Sequence, residues 1–294
     1  MFTHHCHHNE SLFQIIKNKN LIVIPAGADS RHKNWHQFAD RTYDIAVISF
    51  DPNSYKDNKK HSDYCFPQEG AKFALLDSFF SNQPEIWKKY EFFWLPDDDL
   101  QCSGETVNRL FDIFIKNKMP LAQPSLTQDS PVNHGLTTHR RPFIFRETNF
   151  VEVMAPVFTK QSLQKAVPLF LISRSGWGID EIWSQLTFAD EKKFIIDAVQ
   201  VKHMRPPNSP KPGEDVASGG GFYAKLGVNP HTELMALSKK YDFIVGLKKL
   251  SVSGELLGGI PTGKFITHLL VKADKKIARF QRRISRPRNT PGSC

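Results

Sequence analysis

The sequence predicts an α/β protein with an open mixed sheet and helices on both faces. Apolar segments of strand length recur at residues 21–25, 44–50 and 92–95. Each one ends in a turn that contains a carboxylate. A segment with helical spacing of its apolar residues, 70–80, lies between the second and third of these strands. Strands and helices that alternate in this way are typical of open α/β sheets, which bind ligands beyond the carboxyl ends of their strands.

The second half of the chain continues the alternation. The apolar patterns predict helices over 104–116 and 231–241, a polar loop over 127–142, and strands over 121–126, 150–158 and 194–203. The strand predicted over 150–158 carries one carboxylate, Glu152, for which an ion pair with Arg146 is the simplest structural role.

Composition places the chain among ordinary globular proteins. Of its 294 residues, 40% are hydrophobic and 23% charged, which argues against wholesale disorder. No apolar run reaches the roughly 18 to 20 residues that cross a bilayer, and residues 1–10 lack the apolar core of a secretory signal. The four cysteines are widely separated, which argues against a disulfide framework or a structural zinc site. We therefore expect a cytoplasmic protein.

The distribution of charge and the local composition divide the chain into three parts. We predict a flexible His-rich N-terminus (1–18), a main domain (19–250), and a linker with a basic amphipathic helix (251–294). Residues 263–294 hold nine Lys or Arg and one acid, whereas residues 1–262 hold 30 basic and 29 acidic residues. Because the main domain is nearly neutral, the sequence does not support nucleic-acid binding.

The C-terminal segment combines an apolar stripe with basic residues. The stripe consists of Ile266, Leu270, Ala273, Ile277, Phe280 and Ile284. The basic residues are Lys272, Lys275, Lys276, Arg279, Arg282, Arg283 and Arg286. Such a helix suits an anionic membrane surface, so a peripheral position on the inner face of the membrane is one expectation. Packing against the main domain or a partner helix is the alternative.

Three consecutive carboxylates, Asp97, Asp98 and Asp99, follow the strand predicted at 92–95. Three like charges resist burial unless a cation or several hydrogen-bond donors compensate them. A divalent metal with oxygen ligands would do so, and it could also bridge the phosphates of a nucleotide. The alternative is an acidic turn that caps the next helix.

Further candidate residues lie elsewhere in the chain. Trp177 between two glycines would form an exposed aromatic wall, and Asp180 and Glu181 follow it in the first turn of a predicted helix. His203 ends the strand predicted over 194–203. Lys72 opens the helix predicted over 70–80, where it is either solvated or a phosphate contact.

The order of these features resembles a known class of proteins. The segments 93–100, 122–125, 153–158 and 176–180 resemble nucleotide-sugar-dependent glycosyltransferases of the GT-A type. They are more closely similar to the domain-of-unknown-function 707 family of plants and bacteria. The Gly-Trp-Gly motif with its two acids also resembles β-1,4-galactosyltransferases, although the order of the acids is reversed here. The resemblance covers about residues 20–235.

The resemblance implies a GT-A-like catalytic domain with a Rossmann-like nucleotide-binding half. Asp97 or Asp99 with His203 would hold Mn²⁺ or Mg²⁺ for the diphosphate of a nucleotide-sugar donor. The turn at Ala26 and Gly27, together with Asp51, would hold the nucleoside, and Asp98 would face the ribose or sugar.

The resemblance also implies the acceptor side of the reaction. Asp180 or Glu181 would deprotonate the acceptor hydroxyl, and Asp180 is favoured because the closer family has an acid only at that position. Trp177 and Glu152 would contact a saccharide or glycolipid acceptor, and a single displacement would invert the anomeric centre. The glycine-rich segment 206–221 would close over the donor.

Two other functions compete with this interpretation. A metal-dependent phosphohydrolase or nuclease could use the same carboxylates, although such enzymes usually need more ligands and a basic path for the substrate. A catalytically inactive, membrane-associated scaffold is the non-enzymatic alternative.

Overall fold

A computed structural model describes residues 18–205 and 222–284 of the chain. The strands are β1 (Asn20–Ala26), β2 (Tyr43–Ser49), β3 (Tyr64–Pro67), β4 (Phe92–Trp94), β5 (Leu100–Gln101), β6 (Leu121–Leu126), β7 (Phe143–Thr148), β8 (Val157–Thr159), β9 (Lys193–His203), β10 (Ser251–Leu256) and β11 (Ile260–Thr262). The helices are α1 (His32–His36), α2 (Tyr55–Lys60), α3 (Lys72–Asn82), α4 (Pro84–Trp87), α5 (Gly104–Lys116), α6 (Lys160–Ala166), α7 (Ile179–Ile182), α8 (Phe222–Leu226), α9 (Pro230–Tyr241) and α10 (Lys264–Ile284).

The strands form one open mixed sheet in the order β11-β10-β7-β9-β6-β8-β4-β1-β2-β3, and β5 pairs with the end of β9. The half that contains β3, β2, β1 and β4 is parallel, and β8 is inserted antiparallel between β4 and β6. The predicted α/β class, an open mixed sheet with helices on both faces, is confirmed.

Alternate residues of the central strands face two separate cores. Ile22 and Ile24 of β1 join the core under α5, whereas Leu21 and Val23 join the core under α3 and α6. A strand that is buried on both faces reads as a continuous apolar run, which explains the pattern at 21–25. Helices on both faces leave the carboxyl ends of the parallel strands as the accessible edge of the sheet.

Two segments differ from the sequence prediction. The strand predicted over 150–158 is confined to β8, and residues 150–156 are irregular. The linker predicted between Gly254 and Gly263 is instead the hairpin β10–β11, which pairs with β7. Its glycines indicated a linker, but Gly254 lies within β10, where a Cβ atom would come within 2.7 Å of the Phe143 ring. Close approach of a neighbouring side chain is a common reason for glycine in a strand.

The long C-terminal helix, α10, forms as predicted and packs against β10. Among the described residues, no helix has the length and apolar character needed to span a bilayer.

The loop 127–142 is anchored to the sheet by a buried ion pair. Arg146 of β7 donates from Nε to Oδ2 of Asp197 at 2.6 Å and from Nη2 to Oδ1 at 3.0 Å. Oδ1 of Asp197 also accepts from the backbone N–H of Arg140, at the end of the loop. The prediction of an ion pair between Arg146 and Glu152 is therefore wrong, because the Arg146 guanidinium is paired with Asp197.

We expect Arg146→Met to destabilise the fold by about 3 to 5 kcal/mol, because it leaves the Asp197 carboxylate buried without its cation. Urea denaturation monitored by circular dichroism would measure the change. The control is Lys165→Met, which removes a more exposed ion pair with Glu191 and should cost about 1 kcal/mol or less. Equal effects of the two substitutions would contradict a special role for the buried pair.

Candidate metal and acid–base site

Three predicted metal ligands meet at the carboxyl ends of β4 and β9. Asp97, Asp99 and His203 each present one ligand atom, and these atoms all lie within 4.8 Å of one another. The pairing of β5 with β9 brings them together, because Leu100 lies opposite His203 in that ladder. Residues separated by about a hundred positions in the chain therefore share one site.

The imidazole of His203 is oriented by the loop 127–142. Its Nδ1 atom lies 3.2 Å from the carbonyl oxygen of Pro131, and its backbone N–H donates to Oγ of Ser130. A proton on Nδ1 satisfies that carbonyl and leaves the Nε2 lone pair free. Nε2 lies 3.3 Å from Oδ2 of Asp99, on the side of the acidic cluster.

Asp98, between the two candidate ligands, is buried and faces β1. One of its oxygens, Oδ2, accepts the backbone N–H of Gly27 at 3.0 Å, and Oδ1 contacts the Arg205 guanidinium. Burial raises the pKa of Asp98, and the Gly27 and Arg205 contacts oppose that rise. Asp98 thus joins the end of β4 to the turn after β1.

Two basic side chains compensate the outer carboxylates. Lys72 Nζ lies 2.6 Å from Oδ1 of Asp97 and also donates to the carbonyl oxygens of Val153 and Met154. All three ammonium donors of Lys72 therefore have acceptors nearby. Oδ2 of Asp99 accepts from the backbone N–H of Arg205 at 2.8 Å and lies 3.2 Å from its Nε.

The donor set of the cluster fits a divalent cation. Two carboxylates and one imidazole are ligands that divalent cations accept in proteins. Three ligand atoms within 4.8 Å of one another can all reach an ion at their centre. The aspartates do not cap the next helix, because Ser103 is the N-cap of α5 and accepts from the backbone N–H of Thr106.

A second acidic cluster lies on α7. Glu181 is paired with Lys249 at 2.6 Å and accepts from Gln185 Nε2 at 2.9 Å. Asp180 accepts the backbone N–H groups of Glu181 and Val153. Burial, followed by the negative charge of Glu181, raises the pKa of Asp180 to about 7. Asp180 can therefore exchange a proton near neutral pH.

Glu152 lies in the irregular segment before β8 and is almost fully buried. Its backbone N–H donates to Oε1 of Gln123, and among the described residues its Oε2 atom has no hydrogen-bond partner. Burial is the main cause that raises the pKa of Glu152 to about 8, and the charges of Asp180 and Asp97 raise it further. Negative charges from both acidic clusters therefore raise the pKa of Glu152.

The backbone of Val153 and Met154 connects the two clusters. Asp97 donates its backbone N–H to the Met154 carbonyl at 2.8 Å, and Lys72 binds the Val153 carbonyl. The N–H of Val153 bonds to the Asp180 carboxylate. The backbone of residues 153 and 154 thus lies between Asp97 and Asp180, and a shared site for the two stays a prediction.

The Gly176-Trp177-Gly178 turn lies beside α7. Gly176 and Gly178 have φ values of +83° and +87°, in the left-handed region that disfavours other residues. The turn is fixed by Glu233 of α9, whose carboxylate accepts the backbone N–H groups of Arg174 and Ser175.

Trp177 itself is half-buried. Its Nε1 donates to the Tyr223 hydroxyl at 3.0 Å, and its ring contacts His231 edge-on. Burial is the main cause that raises the pKa of Tyr223, and the charge of Asp97 raises it further.

A cleft of about 480 Å³ opens beside the metal ligands. Its lining residues come from the turn after β1, the start of α1 and the end of β9, and they are Ala28, Asp29, Ser30, Arg31, Lys33, Asn34, Asp99, Met204 and Arg205. Asp99 thus faces a space that also contains three basic side chains. A larger and more open cleft shares Asn34 with it and reaches the start of α5.

The remaining predicted residues have local roles in the structure. Ala26 is fully buried, and its carbonyl accepts from Phe50 and Asn58, so it supports the turn from within the core. Asp51 accepts the N–H of Asn53 and caps the short helical turn at 52–54. The His-rich segment 1–17 and the glycine-rich segment 206–221 lie outside the described residues.

Several residues of the site were not identified from the sequence. Arg205 compensates Asp98 and Asp99, Lys249 compensates Glu181, and Arg31 and Lys33 line the cleft. Arg205 follows the predicted ligand His203 by two residues, so its position in the sequence could have indicated that it belongs to the site. Lys249 lies 68 residues from Glu181, and nothing in the sequence indicated that the two side chains would meet.

Comparisons with known proteins relate the chain to others by fold alone. The sequence matches no protein-family model and no curated protein. Among solved structures, the chain is similar to A197 from STIV, with a TM-score of 0.38 and 10% identity over 64% of this chain and 86% of the other.

The chain is also similar to a CMP:2-keto-3-deoxy-manno-octonic acid synthetase complexed with CTP. The TM-score is 0.41 and the identity 12%, over 60% of this chain and 89% of the synthetase. Membership in the domain-of-unknown-function 707 family stays a prediction.

We expect Glu152→Gln to raise the melting temperature at pH 9 by several degrees and to change it little at pH 5. The folded protein holds a proton on Glu152 up to about pH 8, whereas the unfolded chain releases it near 4.5. The stability that this proton gives is complete below pH 4.5 and is lost as pH rises through 8. The variant has no such loss, and each kcal/mol corresponds to about 2 to 4 °C.

Differential scanning calorimetry at the two pH values tests this expectation. The control is Glu69→Gln, which changes an exposed glutamate and should have the same small effect at both. A Glu152→Gln effect that does not depend on pH would show that Glu152 is ionised in the folded protein at pH 5.

Proposed function

We propose that this protein is a metal-dependent glycosyltransferase that moves a sugar from a nucleotide-sugar donor to a saccharide or lipid-linked acceptor. The observation that carries the proposal is the adjacency of the metal-ligand cluster and the buried acid Asp180 through the backbone of Val153 and Met154. Sugar transfer needs one group that stabilises the leaving diphosphate. It also needs a base close by that deprotonates the acceptor hydroxyl.

The donor would lie in the cleft beside Asp99. Asp97, Asp99 and His203 would hold Mn²⁺ or Mg²⁺, which when bound would neutralise charge on the departing diphosphate. Arg31, Lys33 and Arg205 line the same cleft and suit an anionic phosphate group. The turn at Gly27 and the end of β2 at Asp51 stay the proposed positions of the nucleoside.

Asp180 would act as the general base. The acceptor oxygen attacks the anomeric carbon, its proton passes to a carboxylate oxygen of Asp180, and the bond between the sugar and the diphosphate breaks with its electron pair on the diphosphate. Glu181 is the weaker candidate, because Lys249 and Gln185 already occupy its oxygens. Trp177 and Glu152 would contact the acceptor, and one displacement would invert the anomeric centre.

Thermal-shift measurements with a panel of nucleotide sugars test the donor proposal, because a ligand that binds only the folded state raises the melting temperature. We expect stabilisation by one donor in Mn²⁺ and its loss in EDTA. Nucleotide release would then be measured with and without candidate acceptors. Release that never depends on an acceptor would indicate a phosphohydrolase, and no binding of any donor would favour an inactive scaffold.

We expect Asp99→Asn to weaken Mn²⁺ binding, measured by titration calorimetry, by more than about 100-fold. Loss of an outer-shell partner alone typically costs 10- to 100-fold, so loss of a ligand should cost at least as much. The control is Asp112→Asn, an exposed aspartate on α5, which should bind Mn²⁺ as the wild type does. Unchanged affinity in a folded Asp99→Asn variant would remove Asp99 from the metal site.

We expect the transfer rate to rise with pH through about 7, because Asp180 must lose its proton to accept another. Asp180→Asn should lower the rate by about 10² to 10⁴ and abolish this limb of the pH profile, while Mn²⁺ binding persists. Glu181→Gln is the matched control, with a smaller loss and the limb retained. A folded Asp180→Asn variant within tenfold of the wild-type rate would assign the base elsewhere.

A further inference from the structure

The C-terminal helix α10 contacts the sheet through a polar line, opposite to the expectation from its apolar stripe. Of the α10 side chains that the structure describes, those of residues 264–279, Thr267 and Asp274 are buried, and they lie two turns apart on one side of the helix. Thr267 shares a hydrogen bond with Thr262 of β11 at 2.8 Å, and Asp274 lies 3.6 Å from the Arg140 guanidinium. Polar contacts therefore hold the helix to the body.

Four large apolar side chains of α10 are exposed, whereas Leu270 and Val271 are half-buried. Phe265 is 76% exposed, Ile266 and Ile277 are each 52% exposed, and Leu269 is 50% exposed. Leu269 lies about 200° around the helix from Thr267, since each residue turns the chain by about 100°. Ile266 and Ile277 of the predicted stripe therefore do not pack against the described part of the main domain, whereas Leu270 is half-buried.

Basic side chains lie beside this apolar surface. Lys272, Lys275, Lys276 and Arg279 are all exposed. On the helical wheel, Lys276 falls next to Leu269, whereas Lys272 and Arg279 fall on the flank away from Ile266 and Ile277. The outward face of α10 thus has an apolar half and a basic half that run parallel to the helix axis.

We propose that the outward face of α10 binds an anionic lipid surface, with the helix axis in the plane of the interface. The apolar half enters the acyl boundary and the basic half contacts the headgroups. This inference does not depend on the proposed transfer reaction.

Charge complementarity favours lipid over a second copy of this chain. From Lys264 to Ile284 the sequence has seven Lys or Arg residues and one acid, and that acid, Asp274, is buried against Arg140. Two such faces would repel each other. An anionic bilayer offers apolar and acidic groups side by side along its whole surface, as the two halves of the helix require.

Flotation of the full chain with vesicles tests the proposal. We expect binding to phosphatidylcholine vesicles with about one-third phosphatidylglycerol, weaker binding at high salt, and none to phosphatidylcholine alone. The variant Ile266→Ser/Leu269→Ser/Ile277→Ser keeps every charge and should bind at least roughly tenfold more weakly. Lys272→Gln/Lys276→Gln keeps every apolar residue and should bind roughly 20-fold more weakly.

The matched control is Leu171→Ser/Met235→Ser/Ile244→Ser, which removes three apolar side chains of similar exposure outside α10. It should bind as the wild type does, and the melting temperatures of all variants should confirm that they fold. Failure of the wild type to float with anionic vesicles would overturn the proposal, as would unchanged binding of the α10 serine variant. Self-association in sedimentation velocity that the serine variant abolishes would also overturn it, in favour of a second copy.

Discussion

The structure around the site depends on the compensation of three adjacent negative charges at the end of β4. Their partners come from three parts of the chain, and Asp98 and Asp99 share Arg205. Asp97 is paired with Lys72 of α3, Asp98 with the backbone of Gly27 after β1, and Asp99 with the backbone of Arg205 and the imidazole of His203. Because unpaired carboxylates resist burial, these contacts fix the relative positions of β1, α3, β4 and β9.

Asp180 of α7 and Glu152, in the segment before β8, have no basic partner within ion-pair distance among the described residues. Asp180 and Glu152 are buried with few donors, and their pKa values are raised to about 7 and about 8. One set of acids is thus paired with basic side chains, whereas burial favours the protonated form of the other set. Environments that push acids toward different protonation states are typical of acid–base catalysis.

The sequence predicted the fold where local patterning decides it. Strands buried on both faces, such as β1 and β2, read as continuous apolar runs, and α5 shows its buried face at helical spacing. It failed where a tertiary contact overrides local preference. Residues 150–156 are apolar enough for a strand. Their backbone groups instead form hydrogen bonds with Asp97, Lys72 and Asp180.

The predictability of the site follows the same division. Asp97, Asp99 and His203 were identifiable because each ends or follows a strand whose carboxyl end faces the same edge of the sheet. Lys249 and Arg31 were not, because only the folded chain brings them to the acidic clusters or the cleft. For α10, sequence periodicity correctly gave an amphipathic helix, but it could not show that Thr267 and Asp274 form the inner line.

The two ends of the described sheet share a property that bears on how the protein behaves at high concentration. β3 and β11, its outermost strands, have only four and three residues, and each contains a proline, Pro67 or Pro261. Proline lacks the N–H that an incoming strand would need, and so short an edge strand offers few backbone groups for hydrogen bonding. Growth of the sheet by edge-to-edge addition, the usual start of fibrous aggregation, is thereby disfavoured at both margins.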